Sequence, residues 1–81
     1  MQKQAKPYAL GLAPEGQSVR IESLAAGKNL DNRLSDLGLN IGAEVTVVQR
    51  QGSGLVVARE AARIAIGGGM AMKIMVRDAD V

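Results

Sequence analysis

The chain has 81 residues, 47% of them apolar, and ten basic against eight acidic side chains leave a net charge of +2. That length supports one small hydrophobic core and not two, so a single domain over residues 1–81 is expected. With no cysteine and no histidine, disulfides, thiolate nucleophiles, ordinary catalytic triads and zinc sites of the usual kind are excluded.

Residues 1–8 are polar, carry Lys3, Lys6 and Pro7, and are expected to be flexible. They lack the apolar stretch of an export signal. No apolar run approaches the roughly 20 residues that span a bilayer. A cytoplasmic protein with no direct membrane insertion is therefore expected. Pro14-Glu15-Gly16 is a turn signal, and Val19-Arg20-Ile21-Glu22 then alternates as a strand with one buried face does. The period changes next. Leu30, Leu34 and Leu37 stand at i, i+4 and i+7, which predicts a short amphipathic helix packing Leu34 and Leu37 onto the core. Asn29 is its candidate cap, Asp31 complements its dipole, and Gly38 supplies the left-handed residue that ends it.

Alternation returns in Glu44-Val45-Thr46-Val47, where Val48 breaks the phase and predicts a bulge. Gln51-Gly52-Ser53-Gly54 is a turn. Leu55 to Arg59 form a strand whose continuous apolar run predicts burial on both faces. Glu60-Ala61-Ala62 is a tight link into Arg63-Ile64-Ala65-Ile66. Gly67-Gly68-Gly69 breaks the chain, Met70-Ala71-Met72 is read as one helical turn, and Lys73 to Arg77 alternate once more. Five short strands with links this short are antiparallel, and they leave exposed edges unless they curl. The expected fold is all-β: a small barrel of about five antiparallel strands, with one short α-helix inserted after the first.

Candidate chemistry is sparse. Ser53 has no base to activate it and reads as part of a turn. The triple glycine lacks the Lys-Ser/Thr that completes a phosphate loop and reads as a barrel corner. Asp31 and Asp36, five apart on a helix, face different ways, and Asp78 and Asp80 lie in a charged tail, so neither pair makes a carboxylate metal site. Met70, Met72 and Met75 read as packing residues. No catalytic residue, metal site or cofactor is expected. Charges of both signs are interleaved, as in Arg20 near Glu22 and Arg33 between Asp31 and Asp36, so no basic stripe marks a nucleic-acid partner.

The segment Arg33-Leu34-Ser35-Asp36-Leu37-Gly38-Leu39-Asn40-Ile41-Gly42-Ala43-Glu44-Val45 resembles the R-L-x-x-L-G-(L/I)-x-x-G-x-x-V signature of the FeoA family of bacterial ferrous iron transport accessory proteins. Arg63-Ile64-Ala65-Ile66, Met70-Ala71 and Lys73-Ile74-Met75-Val76 are similar to that family's closing pattern. Leu12-Ala13-Pro14-Glu15-Gly16 followed by Val19 and Ile21 is similar to its opening. The resemblance covers about Leu10 to Val76. Two departures stand out: Ile41 occupies a position where proline often precedes the glycine, and Ala61-Ala62 occupy a hairpin that often carries glycine.

The resemblance implies an SH3-like barrel that is not an enzyme. It further implies a cytoplasmic accessory that binds or regulates the GTP-hydrolysing membrane transporter, ferrous iron transport protein B, through its cytosolic G-protein portion. The candidate contact surface is the helix, its Gly38 end and the neighbouring turns: Arg33, Leu37, Gly38, Leu39 and Ile41. An SH3-type groove for proline-rich ligands needs aromatic walls, and Tyr8 is the only aromatic residue. The alternatives are a regulatory module related to the C-terminal domain of iron-dependent repressors, or a small nucleic-acid-binding barrel.

Overall fold

A computed structural model describes residues 6–25, 32 and 34–79. Six antiparallel strands form one sheet in the order β1-β6-β2-β3-β4-β5. They are β1 (Tyr8–Ala9), β2 (Ser18–Leu24), β3 (Glu44–Gln51), β4 (Gly54–Arg59), β5 (Ala62–Ile66) and β6 (Ile74–Asp78). A 3-10 turn, Leu10–Leu12, follows β1, and a four-residue helix, Gly68–Ala71, precedes β6. Helical backbone is also found at residues 32 and 34–36, between β2 and β3, as the leucine spacing required. The expected cap Asn29, together with Leu30, Asp31 and Arg33, lies outside the described residues.

The five strands expected from the sequence all appear. The sixth, β1, does not follow the sequence reading: Tyr8, the last residue of the stretch expected to be flexible, pairs with Val76. Two residues are too short a run to show a period. The tyrosine hydroxyl donates to the Asp78 carboxylate.

One face of the long strands closes on a single aliphatic core. Val19 and Ile21, Val45 and Val47, Leu55 and Val57, Ile66, and Ile74 and Val76 all belong to one buried cluster with Leu10, Leu34, Leu39 and Ala71. The 3-10 turn and the short helical segments are too small to cover one face of five strands, so these residues reach 2% exposure or less because the sheet curls around them. Two bulges supply the bend. One makes Glu22 the extra residue between the Ile21–Val76 and Ser23–Met75 pairs, and the other does the same for Val48 between Val47–Val57 and Gln49–Val56. Val48 was the residue whose phase marked it in the sequence.

The β4 run does not bury both faces. Leu55 and Val57 are buried while Val56 and Ala58 are only half-buried, because a single curled sheet has one inside. The four-residue helix also starts earlier than its apolar residues suggest, taking in Gly68 and Gly69. A β-carbon on Gly68 would stand 2.5 Å from Ser53 Oγ, so only glycine lets this turn rest on the tip of the β3–β4 hairpin.

A candidate protein-binding rim

The helical segment ends at one rim of the barrel, and its end is built by local hydrogen bonds. Gly38 has φ of +82°, a conformation that glycine adopts without a β-carbon penalty. Its N–H donates to Ser35 O at 2.9 Å, and the Leu39 N–H donates to Leu34 O at 2.7 Å. These two bonds are the Schellman pattern, which pairs carbonyls the helix would otherwise leave unsatisfied. The motif also brings the residue after the glycine against the last turn, so Leu39 packs with Leu34 in the core.

That geometry settles which leucine goes inside. Leu39 is 1% exposed and Leu37 is 44% exposed, the reverse of the helical-face expectation for Leu37. Leu37 falls beyond the last helical residue, where the chain has begun to reverse and the i+7 position no longer shares the buried face. Leu39, expected to offer its side chain to a partner, instead anchors the rim from beneath.

The chain then makes a second turn. Ala43 N–H donates to Asn40 O at 2.9 Å, with Gly42 at φ +93°, as in a type II turn with glycine at its third position. Ser35 Oγ donates to Asn40 Oδ1 at 2.7 Å, which ties the two turns together. Gly42 N–H donates to Ile21 O at 2.7 Å and Ala43 O accepts from Ile21 N–H at 2.9 Å, which fastens the far end to β2. At the crest stands Ile41, 64% exposed. The rim thus holds two outward aliphatic side chains, Leu37 and Ile41, on backbone fixed at both ends. Arg33, the remaining expected member, lies outside the described residues.

Sequence reasoning missed Arg59. It continues the inward phase of Leu55 and Val57 along β4, and its Nη1 lies 3.4 Å from where a β-carbon on Gly38 would stand. Its contact is with a turn about 20 positions earlier in sequence, which no local pattern reveals. Arg50 was missed for the same reason. The Val48 bulge shifts the strand's phase so that Arg50, opposite inward Leu55, faces the other end of the barrel. There its guanidinium donates to Ala13 O at 2.8 Å and to Gly11 O at 2.7 Å. Glu15 Oε2 accepts from the Arg50 backbone N–H at 2.8 Å, which closes this end around the Leu10–Leu12 turn.

At that second end Leu12 and Met72 are exposed, and a shallow groove is lined by Tyr8, Leu12, Pro14, Gln17 and Asp78. Its single aromatic wall is Tyr8. Among the described residues no three acidic side chains gather as a metal site would require. No helix among them is long and apolar enough to cross a membrane.

A curled six-stranded sheet, sealed at one end by an Arg-bound turn and carrying a fixed aliphatic rim at the other, is an SH3-like β domain of the small-module class. Comparison with solved structures places it more closely. It superposes on the crystal structure of an iron uptake regulatory protein, FeoA, with a TM-score of 0.81 and 28% identity, covering 89% of this chain and 96% of the other. The FeoA domain profile matches residues 8–78, and the chain belongs to the FeoA family. A relative from Methanocaldococcus jannaschii named "Putative Fe(2+) transport protein A" is 40% identical over 73 residues, covering 90% of this chain and 89% of its own length. The fold extends to metal-dependent regulators. The manganese regulator SloR matches with a TM-score of 0.79 at 12% identity, over 88% of this chain and 34% of SloR.

Proposed function

We propose that this chain is a non-enzymatic accessory of ferrous iron transport. It docks on the cytosolic G-protein portion of ferrous iron transport protein B through the rim of Leu37, Gly38 and Ile41, with Leu39 as its buried support. The observation that carries this reading is the pair of outward aliphatic side chains held on doubly fastened backbone. Exposed aliphatic residues on a loop pinned at both ends lose little entropy on binding, so more of their burial appears as affinity. The family's link to Fe(2+) transport, through the archaeal relative's name, supplies the setting. Absence of both histidine and cysteine is in keeping with a binding role.

Titration of the transporter's soluble G-protein portion tests this. Saturable binding that a Leu37→Asp, Ile41→Asp double variant abolishes is the expected result. Absence of binding by the unaltered chain at high micromolar concentration overturns it. A second reading, a regulatory module akin to those of metal-dependent repressors, is favoured by the fold likeness to the manganese regulator. It predicts affinity for a repressor's DNA-binding portion instead. Nucleic acid itself is disfavoured because two outward arginines are matched by acids: Arg20 Nη2 lies 3.4 Å from Glu44 Oε1, and Arg77 Nε lies 3.1 Å from Glu22 Oε2.

A further inference from the structure

We infer that the rim recognises an apolar segment carrying a carboxylate, with Arg59 as the residue that selects for the acid. This rests on the docking surface proposed above and names the chemistry of its occupant.

The arginines of the sheet differ in what surrounds them. Arg20 and Arg77 each face a glutamate, and Arg50 donates to two carbonyls. Arg63 is exposed to solvent. Arg59 differs from all of these. It is half-buried, and among the described residues its side chain has no ion pair or hydrogen bond. Arg77, the other half-buried arginine among the described residues, has its acid; Arg59 does not.

A guanidinium that has lost part of its water without gaining an anion is held at a free-energy cost. The inward phase of β4 directs it to the barrel rim, where Nη1 lies beside Gly38, 3.4 Å from where a β-carbon would stand. The vacant donors therefore stand next to Gly38, between the strand end and the turn that presents Leu37. A carboxylate arriving with an apolar side chain would take the planar fork in two parallel bonds while its neighbour covers the aliphatic pair. Glu60 and Asp36 flank the rim but are exposed, so water screens their repulsion.

The rival explanation is internal: Arg59 could serve only the negative end of the helical segment. That role predicts a loss of stability on substitution and no change in binding. Isothermal titration of the transporter's G-protein portion with the full chain separates the two. Arg59→Ala is expected to weaken binding by about tenfold or more, as for loss of one partner of a desolvated charge pair. Arg59→Lys, which keeps the charge but not the fork, should recover part of the loss. The unaltered chain's affinity should fall between low and high salt, and that readout needs no variant to fold. Binding that is insensitive to salt, or equal in Arg59→Ala and the unaltered chain, overturns the inference and leaves the docking surface standing. No binding by the unaltered chain overturns both.

Discussion

Two hairpin residues share a positive φ but not a residue type. Gly52, in the β3–β4 hairpin, has φ of +58°, and Glu60, in the β4–β5 hairpin, has φ of +56°. For an L-residue this region costs about 1–2 kcal/mol, from the clash of its β-carbon with the following carbonyl. Glu60 bears that cost. Replacing it with glycine removes the clash and adds back about 0.5–1 kcal/mol of unfolded-chain entropy, so Glu60→Gly should stabilise by roughly 0.5–1 kcal/mol. The reciprocal change is clean as well. A β-carbon on Gly52 would meet nothing within 4 Å, so Gly52→Ala tests the torsion alone and should destabilise by a similar amount. For a domain of this size 1 kcal/mol moves the midpoint by about 4–8 °C. Thermal unfolding followed by circular dichroism should therefore show Tm rising by about 2–8 °C in the first variant and falling as far in the second. Glu60→Gln controls for the lost charge and should leave Tm in place. A Glu60→Gly protein no more stable than Glu60→Gln would refute the reasoning.

Further outcomes follow from the rim and the opposite end. Leu39→Ala should cost about 2–5 kcal/mol in urea unfolding, as a buried leucine does. Leu37→Ala should stay within about 0.5 kcal/mol and act on binding instead. Arg50→Ala removes a charged donor from Gly11 O and Ala13 O and should lower stability by about 1–3 kcal/mol. Amide exchange should quicken most around Leu10 to Ala13. Ile41→Pro suits the second position of the Asn40–Ala43 turn and should stabilise by about 0.4–1 kcal/mol, read as a higher urea midpoint.

Much of this architecture was legible from residue pattern because the physics is local. Alternation and short bounded apolar runs located five strands, the phase slip at Val48 located a bulge, and Gly38 marked the helix end that the Schellman bonds make. The reading failed where long-range or short-range geometry took over. β1 is two residues long and offers no period. Leu37 kept its helical spacing on paper, but the helix stops one residue before it and the cap turns Leu39 inward in its place. Arg50 donates to a distant turn and Arg59 stands beside another, so nothing next to them in sequence announces a role. Of the expected contact residues, Leu37, Gly38 and Ile41 meet at one rim, and Leu39 lies beneath it.

The most direct test of the docking surface is a backbone-amide NMR titration of the isotope-labelled chain with the transporter's soluble G-protein portion. Shift changes are predicted to concentrate at Leu37 to Gly42 and Arg59, leaving Leu12, Met72 and the Tyr8–Asp78 groove unmoved. Changes centred on Leu12 and Met72 instead, or no change at saturating partner, would contradict the account.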